Sequence, residues 1–264
     1  PVAYTLRSIS QVGTSEPFEL QVSRGQIPGH SPLNKFGTNP SVSADEETIW
    51  HQGGIYSYLT VPTTLYVSSS SAADTAGGTG SNSVEVQGLD ADYNVKTETV
   101  DLNGQTQVAL PGTWLRVFRA FITLAGSGGT SAGEVYVGSL GATAGVPNDI
   151  YANLNVSNQT QLALYTVPAG HTLYVNTVTW TAALSSSNAY ITTNFNVRLF
   201  GSNVFRTRMD DTLQSGELFY DLQYPLEIPE KADIECRAQT SSNSATAEVS
   251  ATFEGILIQN EGPL

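Results

Sequence analysis

The sequence is poor in cysteine and in charged residues. Of its 264 residues only Cys236 is a cysteine, so no disulfide can form within the chain, and we expect this thiol to be reduced and buried in a strand. No Cys/His spacing resembles a zinc site. Charged residues make up 13% of the chain. Globular proteins usually carry roughly a quarter, so charge-rich amphipathic helices are not expected.

Positive charge is especially scarce. Eleven Lys and Arg residues stand against 24 Asp and Glu residues, which gives a formal net charge of −13. This charge repels a phosphate backbone, so nucleic acid is not an expected partner. It also argues against binding to an anionic membrane through a basic patch.

Long apolar runs are also lacking, and we expect no leader sequence. Between Ile150 and Val197 there is no Asp, Glu, Lys or Arg, but polar residues interrupt every apolar run before it reaches membrane-spanning length. The opening Pro1-Val-Ala-Tyr4 has neither the basic nor the apolar region of a signal peptide. We therefore expect synthesis in a cytoplasm and no membrane association.

What the sequence does contain favours antiparallel β-structure. Strand-forming Val, Thr and Tyr are frequent, and 24 Gly and 12 Pro residues break the chain often. Spacings between strands are typical of jelly-roll-like β-sandwiches. The predicted strands are Thr64–Val67, Ser83–Val86, Thr97–Leu102, Leu115–Thr123, Glu134–Val137, Gln161–Thr166, Leu173–Trp180, Tyr190–Leu199, Leu226–Ile228, Asp233–Ala238 and Glu248–Ile258.

An internal repeat predicts two tandem sandwiches. The segment from Thr60 to Val67, TVPTTLYV, recurs as TVPAGHTLYV from Thr166 to Val175, about one sandwich domain further along. A Ser-rich stretch follows each copy, and an alternating strand comes later, Leu115–Ile122 or Val249–Ile258. We expect duplicated β-sandwich domains at residues 48–148 and 149–264.

Residues 1–47 are predicted to form an extended N-terminal arm. Glycine and proline alternate here and leave short extended pieces such as Phe18–Val22. Such a segment buries little by itself, so we expect it either to be disordered or to become ordered by docking on a neighbouring subunit. The docking residues predicted for it are Phe18, Ile27, His30, Leu33, Lys35, Phe36 and Trp50.

Candidate catalytic and metal sites are weak. The adjacent carboxylates Asp45-Glu46-Glu47 cannot provide the cleft-spanning pair of a glycosidase, and a loop role is favoured. The segment Asp90–Asn94 begins like a calcium loop, but Val95 stands where a glycine is needed and Asp101 where a glutamate is expected, which favours a turn. Without a nucleophile or phosphate-loop motif, we predict no catalytic residue, metal or cofactor.

Aromatic residues allow a second type of site. Twelve tyrosines together with Trp50, Trp114 and Trp180 could supply a platform for sugar rings. Most of them lie inside alternating runs, where a large aromatic side chain usually faces a core or a subunit contact. Packing is therefore the favoured role.

Several segments resemble virion structural proteins of marine tailed phages, including those of cyanobacteria. They are FELQVSRGQIPGH (residues 18–30), KFGTNP (35–40), TIW (48–50), GLD (88–90), LNG (102–104), YTVPAG (165–170) and PEKADI (229–234), together with Tyr93 and Glu98. The resemblance extends over nearly the whole chain and carries no catalytic residues.

The resemblance implies a non-enzymatic protein, made in the host cytoplasm and located in the virion. We expect a capsid-surface decoration or knob protein, docked through its N-terminal arm and self-associated, for example as a trimer, with other capsid or tail proteins as partners. The alternative is a tail-associated adhesin that binds host-surface glycan. A polysaccharide-degrading enzyme has only fold-level analogy in its favour.

Overall fold

Antiparallel strands form almost all of the regular structure, which confirms the all-β prediction. The computed structural model describes residues 16–155, 157–185 and 188–260. It has one short helix, α1 (Phe18–Ser23). The strands are β1 (His30–Val42), β2 (Glu47–Thr48), β3 (Tyr66–Ser69), β4 (Ser81–Leu89), β5 (Val95–Asp101), β6 (Val108–Ala109), β7 (Arg116–Ala125), β8 (Val135–Gly138), β9 (Ala142–Thr143), β10 (Val146–Pro147), β11 (Ile150–Leu154), β12 (Leu164–Thr166), β13 (His171–Leu184), β14 (Ile191–Arg198), β15 (Arg206–Leu213), β16 (Gly216–Ile228), β17 (Asp233–Thr240) and β18 (Ala247–Gln259).

Four main sheets form two sandwiches. The first sandwich contains the sheets β11-β8-β3-β6 and β5-β4-β7. The second contains β1-β18-β13-β16 and β12-β17-β14-β15, with β2 also paired to β17. The strands β9 and β10 form a separate small ribbon.

The two sandwiches share one strand order, as the repeat predicts. Strand β3, which follows the first TVP segment, lies between β8 and β6, and β13, which follows the second, lies between β18 and β16. In the facing sheets, β4 lies between β5 and β7, and β14 lies between β15 and β17. The repeated segments therefore occupy equivalent topological positions.

One detail of the predicted repeat needs correction. The alternating strands Leu115–Ile122 and Val249–Ile258 were expected to match each other. They lie in β7 and β18, which occupy different positions: β7 pairs with β4, whereas β18 pairs with β13. The counterpart of β7 is β17. Alternation of apolar and polar residues indicates that one face of a strand is buried, but it does not indicate which sheet the strand joins.

Part of the predicted arm belongs to the second sandwich, and its residues 1–15 lie outside the described residues. Residues 30–42, which the sequence analysis assigned to the arm, form β1 and pair with β18 along most of its length. On its other side, Gly37 lets β1 approach the segment before β12 closely, because a Cβ there would lie 2.3 Å from the Ala163 nitrogen. Pro32, Gly37 and Pro40 are thus accommodated in a strand at a sheet edge, where proline costs no ladder hydrogen bond.

The segment before β1 also differs from expectation. The piece Phe18–Val22, predicted to be extended, forms α1. Pro17 precedes its first turn, and Gly25 follows its end with φ of +66°, a conformation that glycine adopts without strain.

Strand β11 comes after the predicted domain boundary at residue 148 but completes the first sandwich by pairing with β8.

Each sandwich has its own buried core. In the first, Trp114, Leu65 and Val67 are fully buried. In the second, Phe195 and Phe253 meet edge to face with ring centroids 5.5 Å apart beside the buried Trp180. The second core extends to side chains of the first half, including Leu89 and Phe118, so the two sandwiches are packed together.

Candidate functional site: a cleft between the sandwiches

A cleft of about 690 Å³ lies where the two sandwiches meet. The first sandwich contributes residues 55–62, the β4–β5 turn with Tyr93, and the start of β7. The second contributes the β14–β15 loop with Phe200 and the start of β17. Because β4, β5 and β7 correspond to β14, β15 and β17, the cleft is built from equivalent loops of the duplicated domains.

Asp233 is the centre of an ion-pair network on the cleft floor. The Arg116 guanidinium donates two hydrogen bonds to its carboxylate, Nε to Oδ1 at 2.8 Å and Nη2 to Oδ2 at 3.2 Å. Arg198 donates to Oδ2 from Nη2 at 2.7 Å, and the Thr166 hydroxyl donates to Oδ1 at 2.6 Å. Arg116 also donates to the Leu59 carbonyl. One carboxylate is therefore shared by two guanidinium groups, which leaves an excess of positive charge.

A second network lies beside the first. Arg237 donates from Nε to Glu235 at 3.0 Å and from Nη1 to Glu46 at 2.8 Å. Glu235 is fully buried and also accepts hydrogen bonds from the hydroxyls of Thr48 and Tyr58. A buried carboxylate with this many donors is held in one orientation, so Arg237 is fixed at the cleft wall.

Aromatic rings cover these guanidinium groups. The Cζ atoms of Arg116 and Arg198 lie 5.1 and 4.5 Å from the centroid of Tyr58. The Phe205 ring lies between Arg198 and Arg237, at 4.7 and 4.8 Å. Such stacking holds the planar groups in place while leaving their edges free for hydrogen bonds.

Burial and charge shift several of these groups. Burial opposes the positive charge of Arg116, but the hydrogen bonds and charge of Asp233 raise its pKa. Burial, followed by the charges of Glu235 and Asp233, raises the pKa of Tyr58 well above its usual value. At neutral pH the floor therefore presents cations and a neutral phenol around the Asp233 carboxylate, an arrangement that suits anion binding.

Sequence reasoning did not find this site. Its members come from separate segments, and Arg116 and Asp233 are 117 positions apart. The available signal was compositional: Arg198, Lys231 and Arg237 fall within a short stretch of a chain that has few cations. Their pairing with Arg116 follows from the strand order, which the sequence left open.

The seven predicted docking residues do not form one surface. Lys35 and Trp50 are buried within the chain, and Leu33 packs against the second core. The Lys35 Nζ donates a hydrogen bond to the Phe118 carbonyl. Phe36 is half-buried in β1. Leu33, Lys35 and Phe36 lie against their own chain because β1 completes a sheet, and Trp50 does so through a bridge to Leu162.

Three of the seven remain accessible together at one end. Phe18 is 46% exposed on α1 and meets the His30 ring edge to face, with centroids 6.0 Å apart. Ile27 is half-buried in the loop between α1 and β1. This end of the molecule is the part of the predicted docking set that another protein can reach.

The loop roles expected for the acidic motifs are seen in the structure. The Asp90 Oδ1 atom accepts hydrogen bonds from the backbone nitrogens of Asp92 and Asn94, both at 2.9 Å, and so makes a turn. Glu47 accepts from the backbone nitrogens of Ser43 and Gly54. Within the three described ranges, no group of three His, Cys, Asp or Glu side chains is placed to hold a metal ion.

Cys236 is a free, fully buried thiol in β17, as expected. Burial, and then the charge of Glu235, raises its pKa well above the usual value. The alternate residues Ile234 and Ala238 are buried with it, but Asp233 and Glu235 on the opposite face are buried too. That face is covered by the first half of the chain, through contacts such as the Arg116–Asp233 ion pair.

The fold and the cleft define an all-β protein with two antiparallel sandwiches of the same strand order and a cationic cleft between them. No protein-family model matches the chain, and no curated protein matches its sequence. No helix in the described part of the chain is long and apolar enough to cross a membrane.

Among solved structures, two of infectious bursal disease virus have some similarity. One is a structure of the Gx strain, with 10% identity, a TM-score of 0.23 and coverage of 88% of this chain and 76% of that chain. The other is the VP2 subviral particle, with 10% identity, a TM-score of 0.18 and coverage of 93% and 82%. At these scores the similarity carries no argument about function.

Proposed function

We propose that this chain is a non-enzymatic structural protein of a phage virion that decorates the capsid surface and self-associates there. The sequence segments that resemble tailed-phage virion proteins suggest the setting. The observation that carries a role in assembly is the open edge of the second sandwich. There, strand β16 ends its sheet with Phe219 and Tyr224 exposed to 61% and 83%.

The edge strand β16 fits a contact with another copy of the chain. Exposed aromatic side chains are enriched in protein interfaces, and a free strand edge offers unpaired backbone groups. Strand β16 carries Glu217, Asp221 and Glu227 and no Lys or Arg, so pairing it with itself would place carboxylates together. A closed ring, such as a trimer, avoids this because β16 then contacts a different surface of the next copy.

The accessible N-terminal end is the proposed docking surface toward the capsid. Phe18 and Leu20 on α1 are 46% and 45% exposed, and His30 lies beside Phe18. This surface replaces the longer arm of the sequence analysis, since Leu33, Lys35 and Trp50 are already used within the chain.

Self-association is tested by a matched pair of variants. Phe219→Glu places a charge on the β16 edge, and Phe200→Glu places one at a phenylalanine of similar exposure, 62%, on the β14–β15 loop. We expect sedimentation velocity to show oligomers for the wild type and for Phe200→Glu, and monomers for Phe219→Glu. Equal oligomer content in all three would contradict the proposed interface.

Capsid docking is tested in the particle. We expect the double variant Phe18→Ala/Leu20→Ala to lose incorporation into virions, whereas Leu140→Ala, which alters a side chain 67% exposed in the first half, retains it. Labelled antibody on purified virions should mark the head. Labelling confined to the tail would reject the decoration role.

The cleft favours a second candidate function, a tail-associated adhesin that binds host-surface glycan. Its exposed aromatic ring and its cations are suited to a ligand. Purified protein added to host cells before infection tests this role. Competition with phage adsorption would support the adhesin and count against decoration, and the absence of competition would reject the adhesin.

A further inference from the structure

The cleft concentrates positive charge in a strongly acidic protein. The chain has 11 basic residues against 24 acidic ones, and four of the basic residues line this cleft: Arg116, Arg198, Lys231 and Arg237. Among the described residues that line the cleft Asp233 is the one acid, and Glu46 and Glu235 pair with Arg237 from behind the lining. An anion held inside the cleft is attracted by these cations, whereas a long polyanion is repelled by the surrounding surface.

Lys231 differs from the three arginines because it has no carboxylate partner among the described residues. Its Nζ lies 5.2 Å from the centroid of Phe200 and 5.8 Å from that of Tyr93. The guanidinium groups are held by Asp233 and Glu235, so Lys231 is the cation available to pair with a ligand.

The backbone holds Lys231 and Tyr93 in an unfavourable conformation. Both have positive φ, +60° and +65°, a conformation that is uncommon and strained for residues other than glycine. Each is fixed by hydrogen bonds: the Lys231 nitrogen donates to the Val167 carbonyl at 2.8 Å, and the Ala169 nitrogen donates to the Tyr93 carbonyl at 2.9 Å. These bonds hold the two side chains facing each other at the mouth of the cleft.

The aromatic rings at the mouth provide an apolar face. Phe200 and Tyr93 meet edge to face with centroids 5.6 Å apart, and Phe200 is 62% exposed. A phenylalanine in a loop with that exposure contributes little to a core. Sugar rings bind to such faces through their C–H groups, and the adjacent Thr60 and Asn203 can hydrogen-bond to hydroxyls.

We propose that the cleft binds an acidic saccharide, a sugar whose carboxylate pairs with Lys231 while its ring lies on Phe200. The volume of about 690 Å³ suits one or a few sugar units. An acidic peptide would offer Lys231 a carboxylate but no sugar ring for Phe200, and a long nucleic acid would be repelled by the negative surface around the cleft. This assignment deepens the adhesin candidate and rests on its premise that the cleft binds glycan. It does not depend on where the chain sits in the particle.

The test compares one oligosaccharide in two charge states. Calorimetry on the purified full chain should detect binding of oligogalacturonate, and we expect its methyl ester, which keeps the ring and removes the charge, to bind at least about tenfold more weakly. Oligoglutamate is the peptide control. Equal affinity for acid and ester, no binding of oligogalacturonate, or tighter binding of oligoglutamate would overturn the assignment.

Two lysine variants give a matched comparison. Lys231→Met removes the proposed charge, and Lys96→Met removes a lysine that lies 4.6 Å from the Trp114 ring centroid and does not line the cleft. With folding verified by circular dichroism, we expect Lys231→Met to lose about tenfold in affinity and Lys96→Met to be unchanged. Equal affinities of the two variants would overturn the role of Lys231.

Adsorption separates this inference from the adhesin role. Binding of oligogalacturonate by the purified chain, without any competition with phage adsorption, would leave the saccharide site in place and reject the adhesin. Competition with adsorption by a chain that does not bind oligogalacturonate would support the adhesin and reject the acidic saccharide.

Discussion

At the scale of single residues, the least expected group is the buried Lys35. Burial, and then the charge of Arg119, holds the pKa of Lys35 well below its usual value of 10.5. The unfolded chain therefore binds a proton that the folded chain does not, over the pH range from the folded pKa up to 10.5. Across that range the contribution of Lys35 to stability rises with pH.

The prediction concerns the difference between the wild type and Lys35→Met. As pH rises from neutral toward 10, we expect the free energy of unfolding of the wild type to increase relative to the variant, by up to about 1.4 kcal/mol per pH unit within the window. Denaturant unfolding of both proteins at several pH values measures this. If the free energies of unfolding of the two proteins change in parallel with pH, the prediction is wrong. Taking the difference between the two proteins removes the effects of other groups such as Cys236.

Asp233 carries a second prediction. Asp233→Ala leaves two guanidinium groups without their carboxylate, and the side chain of Arg116 is 8% exposed. Breaking a buried ion pair in this way should lower the free energy of unfolding by about 3–5 kcal/mol. The control Asp92→Ala removes an exposed carboxylate and should change stability by less than about 0.5 kcal/mol. Equal losses would mean that the Asp233 network contributes little.

At the scale of elements, the strands show what the sequence could predict. Each of the eleven predicted segments overlaps a strand of the structure, because alternation records burial of one face. Strand β15 was missed because RTRMDDTL has a weak pattern on an exposed sheet edge. Strand β1 was missed because Pro32, Gly37 and Pro40 read as breaks, while the burial that decides its place comes from a strand more than 200 residues away.

Loops between elements are fixed by a buried carboxylate. Asp74 is fully buried and accepts hydrogen bonds from the Ser69 hydroxyl at 2.6 Å and from the backbone nitrogens of Ser81, Ala132 and Gly133 at 2.7 to 2.9 Å. It thus connects the end of β3, the start of β4 and the segment before β8. No local sequence pattern indicates this role of Asp74, because its partners Ala132 and Gly133 are distant in sequence.

Asp74→Asn tests this connection. The amide keeps the size of the side chain but turns an NH₂ group toward a backbone donor, so we expect a loss of about 1.5–3 kcal/mol in the free energy of unfolding. Asp101→Asn, at an exposed position of β5, is the matched control and should have little effect. Hydrogen exchange should also show faster exchange at Ser81 and Gly133 in the Asp74 variant, and unchanged exchange there would contradict the proposed connection.

At the scale of the whole molecule, the repeat was the most informative feature of the sequence. It predicts the two equivalent positions of β3 and β13, because similar segments fold into similar surroundings. It could not predict the cleft, which depends on how the two sandwiches pack and on four cations that are spread over both halves. Nor could it indicate that a strand preceding the first sandwich completes the second.

Strand β1 precedes the first sandwich in sequence but pairs within the second, and this position gives a last prediction. Asp45 and Glu46 are exposed between β1 and β2, so a protease site inserted there can be cut in the folded protein. We expect the N-terminal fragment to stay bound after cleavage, because β1 is paired to β18 and its residue Val42 is buried in the second core. Gel filtration of the cut protein should show both fragments in one peak, and they should separate in denaturant.

Gly37→Ala in the same cleavable protein is the control. Its Cβ would lie 2.3 Å from the Ala163 nitrogen and 2.6 Å from the Ile49 carbonyl oxygen, so β1 could not keep its close approach to the second sandwich. After cleavage this variant should release the N-terminal fragment without denaturant. If the cleaved protein that keeps Gly37 also releases the fragment, β1 is held mainly by its covalent connection. The N-terminal region would then act as the detachable arm that its glycines and prolines suggest.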